Sequence, residues 1–168
     1  MPDARPTAAC RPARAEDVGE IARIYNQGIA ERSATFETRP RSAAEVEAWL
    51  AGPVVVAEAA GTIVGWAALW PTSPRTCYAG VLEASIYVDG AARGRGVGRA
   101  LGEAILAAAA GAGAWKVLGK LFPENQASAS LVRGLGFRHV GVHRRHARLD
   151  GAWRDVLLVE KLLGDAAE

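Results

Sequence analysis

Ser85-Ile-Tyr-Val-Asp-Gly-Ala-Ala-Arg-Gly-Arg-Gly-Val-Gly-Arg99 is the stretch on which the fold turns. Ile86-Tyr87-Val88 is β-branched and aromatic, and with the residues back to Val81 it makes Val81–Val88 read as a strand. From Val97 onward, Val97, Leu101, Ile105 and Ala108 line one face of a long Ala-rich helix. Between strand and helix lies Arg93-Gly94-Arg95-Gly96-Val97-Gly98-Arg99. Glycines let the backbone turn tightly and bring its N–H groups close to an anion. The helix start adds N–H donors without intrahelical partners and the positive end of a dipole. Arg93, Arg95 and Arg99 add charge in a geometry that suits phosphate. A Gly/Arg-rich surface turn is the plain alternative. A dinucleotide loop, G-x-G-x-x-G, would need glycine at 99 or 101, where Arg99 and Leu101 stand. A nucleotide P-loop needs Gly-Lys-Ser/Thr, and no such tripeptide occurs. What fits is R-x-x-G-x-G on Arg93, Gly96 and Gly98.

Working outward, a first strand falls around Ala8 to Arg11. A helix runs from Ala15 to about Arg32 on Val18, Ile21, Ala22, Tyr25 and Ile29. Thr35 to Arg41 is a loop, and Ser42-Ala-Ala-Glu45 is a capping box opening a helix through Leu50 that Gly52-Pro53 ends. Val54–Ala57 and Thr62–Leu69 flank Ala60-Gly61 as a β-hairpin, and Pro71 to Ala79 is a loop. Downstream, the long helix closes at Gly111 or Gly113, and Trp115 to Phe122 is a strand. Asn125 to Leu135 is a helix stopped by Gly136-Phe137. Two last strands, Val140 to Ala147 and Trp153 to Val159, join through Asp150-Gly151. The order β-α-α-β-β-β-α-β-α-β-β predicts an α/β (α+β) chain with a mixed central sheet flanked by helices.

The chain has 168 residues and 17.6 kDa, which suits one domain over 1–168. Half of it is apolar and 23% is charged, an ordinary globular composition. A net charge of +2 disfavours a nucleic-acid or membrane-surface binder. Cys10 and Cys77 stand far apart without a CxxC, so neither a disulfide framework nor a zinc site is signalled. Met1 to Pro6 lacks an apolar signal region and no apolar run reaches the span of a membrane helix, so a cytoplasmic location is expected. Arginine supplies 17 of the 20 basic residues.

The sequence resembles the GNAT acyl-CoA N-acyltransferase superfamily over essentially its whole length. The resemblance rests on R-x-x-G-x-G, the preceding Ser85-Ile-Tyr-Val88, and Asn125-x-x-Ser128 followed by Leu131 and Gly136-Phe137. It implies a GNAT fold in which a splayed strand pair holds acetyl-CoA. Ile86, Tyr87 and Val88 would meet pantetheine, mainly through main chain. Arg93, Gly94, Arg95, Gly96, Val97, Gly98 and Arg99 would meet the pyrophosphate, and Asn125 and Ser128 the pantetheine end. Phe36-x-Thr38, Arg75-x-x-Tyr78, Glu83-x-Ser85-x-Tyr87-Val88 and Gly151-x-Trp153-x-Asp155-Val156 are similar to the phosphinothricin N-acetyltransferase group.

Transfer to an amine needs the amine neutral, and an α-amino group with a pKa near ~8 is only about one tenth deprotonated at pH 7. A carboxylate can take the proton, best with its own pKa raised toward about 6 or 7. Glu83 shares one side of its strand with Ser85 and Tyr87, opposite Leu82, Ala84, Ile86 and Val88. A solvated strand glutamate is the plain reading; the resemblance makes Glu83 the general base, directly or through a water. It likewise implies that Arg75 pairs with a substrate carboxylate and Tyr78 adds a hydroxyl, where composition alone suggests a surface arginine and a packing tyrosine. Phe36 and Thr38 would add an apolar wall and a hydroxyl, against the alternative of a loop anchor.

Two departures bear on the reaction. Many relatives place a tyrosine acid four residues after the serine of N-x-x-S; Val132 stands here, so thiolate protonation falls to water or the thiolate leaves as such. The C-terminal segment reads Leu149-Asp-Gly-Ala-Trp-Arg-Asp155 after Arg144-Arg145-His146, closer to the arsinothricin-resistance branch than to the herbicide enzymes. His139, His143 and His146 lack a carboxylate or cysteine to complete a metal site, and strand alternation puts His143 and His146 on opposite faces, so no metal is expected. The expectation is an acetyl-CoA-dependent enzyme acting on the α-amino group of a small glutamate-analogue amino acid, as a homodimer without nucleic-acid or membrane partners. The rivals are a GNAT enzyme for protein N-termini or polyamines, the latter disfavoured by Arg75, and a non-catalytic acyl-CoA-binding domain.

Overall fold

In the computed structural model, which describes residues 8–168, the expected order of elements is present. The polar start from Met1 to Pro6 lies outside the described residues. The strands are β1 (Ala9–Pro12), β2 (Val54–Ala59), β3 (Thr62–Pro71), β4 (Val81–Val88), β5 (Lys116–Leu121), β6 (Arg138–Leu149) and β7 (Ala152–Leu162). The helices are α1 (Val18–Glu31), α2 (Ala43–Glu47), α3 (Val97–Gly111) and α4 (Gln126–Gly134). One mixed sheet has the strand order β1-β2-β3-β4-β5-β7-β6.

Strand alternation assigns the two faces of the sheet to different helices. Val54, Val56, Trp66 and Ala68 point to one face, where Ile21, Ile24 and Val46 of α1 and α2 cover them. Val55, Ala57, Ala67 and Leu69 point to the other, against Leu101, Ile105 and Ala109 of α3. β4 divides as its sequence predicts: Leu82, Ala84, Ile86 and Val88 pack toward α3, and Tyr87 toward α1. The α3–α4 crossing depends on Gly102, where a Cβ would come within 2.3 Å of the Leu135 side chain.

Local signals set the ends of the elements. Ser42 and Glu45 form the expected reciprocal cap of α2. Arg39 and the cap bonds from Ser42 hold the Glu45 carboxyl down at about 2. Gly136 closes α4 with φ +82° as Phe137 N–H donates to the Val132 carbonyl and Gly136 N–H to Arg133. Ala60-Gly61 and Asp150-Gly151 both hold positive φ at their two central residues, matching the twist of two-residue hairpins.

Three features differ from the sequence reading. The first helix begins with a 3-10 turn at Ala15–Asp17, and α2 passes into another at Ala48–Ala51. The last two strands run longer at both ends than Val140–Ala147 and Trp153–Val159. His143 and His146 do not diverge: their ring centroids are 4.8 Å apart. Between them Arg145 takes a left-handed conformation (φ 51°), and its N–H donates to the Asp155 carboxylate at 2.7 Å. The register advances from His143 to Ala147 on β6 while β7 advances only from Val156 to Arg154, so side-chain alternation does not carry across the bulge.

β1 is fastened to the start of α1 by a charge cluster. Arg11 donates to both carboxylate oxygens of Asp17 at 2.7 and 3.0 Å, and Arg14 N–H donates to Asp17 at 2.8 Å. Asp17 is only 5% exposed, and the Arg11 bond, aided by Arg14 N–H, holds its carboxyl below the usual range despite burial. A depressed folded-state pKa makes this stabilisation complete above the ordinary carboxylate pKa of about 3.9 and removes it as pH falls through the folded value. Asp17→Asn should therefore lose about 2 kcal/mol at pH 7. In urea titrations between neutral and strongly acidic pH, its midpoint should fall less on acidification than that of the unsubstituted chain.

Candidate functional site

β4 and β5 part company early. Their parallel pairing covers only Val81–Glu83 against Lys116–Leu118, whereas β3 pairs with β4 as far as Val88 and β7 pairs with β5 as far as Leu121. Asp89 N–H donates to the Val64 carbonyl, so the odd-numbered residues of β4 bond to β3. Ile86 and Val88 consequently turn their main-chain groups into the gap. The Val88 carbonyl accepts from Arg93 Nε at 3.1 Å.

At the far end of the gap is a cavity of about 470 Å³, bounded by Ile86–Val88, the glycine loop and α4. Gly94 and Gly96 hold φ of +73° and +81°, a region that costs a residue with a Cβ. Gly96 is the N-cap of α3. Among the described residues, no N–H from Gly94 to Arg99 donates to a protein acceptor. The turn thus presents a run of N–H groups at a helix start, which is an anion cradle. Of its arginines, Arg93 pairs with Glu31 at 2.9 Å and Arg99 with Glu103 at 2.9 Å.

A second cavity of about 410 Å³ adjoins the first, sharing Ile86, Tyr87, Asn125, Ser128 and Leu131 with it. Its lining draws on both faces of the sheet, and on the α1 side it has a wall of mutually packed rings. Tyr25, Trp49, Trp66 and Tyr87 sit with centroids 5.0 to 5.8 Å apart, and Trp70 packs on Trp49. Trp70 Nε1 donates to Ser85 Oγ at 3.0 Å. Burial pushes the Tyr87 phenol well above its ordinary pKa, so it stays neutral. The segment after α1 arches over the opening. Phe36 meets Phe122 edge-on at 5.0 Å, and Asn125 Nδ2 donates to the Ser33 carbonyl at 3.0 Å.

Glu83 occupies the foot of the gap, at the last paired residue, and lines this second cavity. Its carboxylate accepts from Lys120 Nζ at 2.8 Å. A carboxylate there can receive a proton from a group in the cavity while main-chain groups of β4 face whatever enters the gap.

The structure distributes the residues singled out from sequence unevenly. Ile86, Tyr87, Val88, Arg93, Gly94, Gly96, Val97, Gly98, Arg99, Asn125 and Ser128 border the loop-side cavity, and Arg95 does not. Phe36 and Glu83 border the other, whereas Thr38, Arg75 and Tyr78 do not. Tyr78 is 45% exposed, with the Arg75 guanidinium 5.4 Å above its ring. Asn125 caps α4 through Ser128 N–H as well as holding Ser33, so both ends of its amide have protein partners. Val132 lines the cavity but offers no proton. Sequence reasoning missed Lys120, whose only signal was an unpaired lysine inside an apolar strand, and His146, brought to the cavity by the bulge. Among the described residues no three His, Cys, Asp or Glu side chains converge as a metal site, and no helix is long and apolar enough to cross a membrane.

The model of the acetyltransferase (GNAT) family matches residues 14–137. A phosphinothricin N-acetyltransferase of Streptomyces coelicolor is 32% identical over 91% of this chain and 95% of its own length. An L-methionine sulfoximine/L-methionine sulfone acetyltransferase of Pseudomonas aeruginosa is 29% identical over 92% and 94%. Among solved structures, a GNAT superfamily phosphinothricin acetyltransferase from Sinorhizobium meliloti, in complex with acetyl-CoA, superposes with a TM-score of 0.89 at 30% identity, covering 95% of this chain and 90% of that one. A ribosomal-protein-alanine N-acetyltransferase from Brucella melitensis gives 0.88 at 28% identity, covering 92% and 99%.

The anion cradle is open to a direct test. A Cβ at Gly96 would meet no atom within 4 Å, so Gly96→Ala acts through its positive φ alone. It should weaken acetyl-CoA binding about tenfold, read by calorimetry, as the strained turn moves its N–H groups.

Proposed function

The chain belongs to the acetyltransferase (GNAT) family, and on that premise we propose that residues 1–168 form one catalytic domain that acetylates the α-amino group of a small glutamate-analogue amino acid. The acetyl-CoA-dependent N-acetyltransferase activity comes with the family and its phosphinothricin relatives. Phosphinothricin, methionine sulfoximine and arsinothricin are the acceptors we put forward, with resistance by detoxification in the cytoplasm as the role. The observation that carries the reading is the Glu83 carboxylate at the point where β4 and β5 separate, between a ring-walled cavity and a glycine-loop cavity.

The residues present fit acetyl-CoA. The open edge of β4 offers amide partners for a pantetheine arm at Ile86 and Val88, and the N–H groups of Gly94–Arg99 suit a pyrophosphate. Acetyl-CoA supplies the activated acyl group. Glu83 takes the proton of the ammonium, and Val88 N–H faces the gap as a donor to the acyl oxygen. With Val132 in place of an acid, the departing thiolate would take its proton from water or leave as such.

The Brucella relative favours a second reading, acetylation of a protein N-terminus. A cavity of about 410 Å³ under a segment tied down at Ser33 suits a single amino acid better than a polypeptide. A homodimer through the last two strands completes the proposal. β6 is an edge strand, and Val140, Val142 and Trp153 are 45%, 50% and 52% exposed.

Glu83→Gln should lower kcat by about 10² or more while leaving acetyl-CoA affinity unchanged. With free-thiol detection, glutamate-analogue amino acids should turn over and peptides should not; turnover of peptides alone would overturn the acceptor assignment. A chain that binds acetyl-CoA and releases no thiol with any amine would be a binding domain.

A further inference from the structure

We propose that Lys120 binds the α-carboxylate of the acceptor and so makes the enzyme select free amino acids over other amines. The inference rests on the reading of Glu83 as the group that meets the acceptor's amine. Among the described residues, Lys120 is the one Lys or Arg side chain that lines the ring-walled cavity. Its Nζ lies 2.8 Å from the Glu83 carboxylate, from a position two residues beyond the last β4–β5 pair. An α-amino acid carries its two charges on adjacent atoms of one carbon. A cation beside the base therefore matches the α-carboxylate, while a side-chain headgroup lies several bonds further away. Inserting the zwitterion between Lys120 and Glu83 turns one ion pair into a ring of alternating charges, ammonium on Glu83 and carboxylate on Lys120.

Other cations are less well placed. Arg75 lies over the exposed Tyr78 ring and does not border the cavity. Arg154 stacks on the Phe122 ring at 4.4 Å and faces Glu124 at 3.5 Å. His146 lines the cavity with its ring 4.8 Å from that of His143. Among the described residues, Lys120 alone of these basic side chains pairs with Glu83.

The test compares L-methionine sulfoximine with its methyl ester on the full chain at saturating acetyl-CoA. The unsubstituted enzyme should show the lower KM for the acid. Lys120→Met should raise that KM by about tenfold or more while the ester's KM stays within about twofold, and Lys120→Arg should restore most of the preference. Calorimetry of the acid against the CoA-loaded protein reads the same loss without turnover. No preference for the acid in the unsubstituted chain, an equal change for acid and ester in Lys120→Met, or loss of the preference in Arg75→Ala but not in Lys120→Met overturns the assignment. Failure of Glu83 as the base shows separately, as Glu83→Gln with full kcat and an unchanged acid-to-ester ratio.

Discussion

β4 is tied to β3 as far as Val88 but to β5 only from Val81 to Glu83, and the site is a consequence of that inequality. On its other edge β5 stays with β7 from Lys116 to Leu121. Apart from the Val88 carbonyl, which accepts from Arg93, the main-chain groups of Ile86 and Val88 are left facing a gap. Each would cost about 1–3 kcal/mol if buried without a partner, so the gap must stay wet or accept a polar chain. A pantetheine arm, with its two amides, is such a chain. The same divergence leaves Glu83 as the last paired residue, fixed by the sheet and open to the cavity.

The electrostatics follow from the backbone more than from the arginines. Two of the three loop arginines have acidic partners, Glu31 and Glu103, which leaves the N–H groups of Gly94–Arg99 as the principal attraction for an anion. Arg93 also clasps the end of β4 through the Val88 carbonyl, so it braces the loop it charges. A net charge of +2 conceals this arrangement, because it is orientation and not excess charge that makes the cradle.

The element order and most turns were legible because they depend on local chemistry. Ser42 and Glu45 cap a helix by their spacing, Gly136-Phe137 stops one, and Asp150-Gly151 turns a hairpin wherever they occur. Alternation along β4 puts Glu83 with Tyr87 and opposite Ile86, since the register with β3 is unbroken there. The same rule failed at His143 and His146. The bulge at Arg145 is held by Asp155, ten residues away, and nothing near the histidines announces it. Arg75 and Tyr78 illustrate another limit: motif spacing located them in the loop before β4 but could not tell where that loop would lie relative to the cavity.

By itself the sequence determined a mixed sheet flanked by helices, a glycine loop at a helix start, and a glutamate on the Tyr87 face of the strand leading into that loop. These are short-range consequences of side-chain periodicity, backbone conformational preference and capping. Only the tertiary structure decided where β4 and β5 separate, that Trp49, Trp66, Trp70, Tyr25 and Tyr87 form one wall, and that Lys120 meets Glu83. Those relations join residues far apart in the chain. Strand register and helix packing set them, and both minimise the free energy of the whole sheet, which no local pattern encodes.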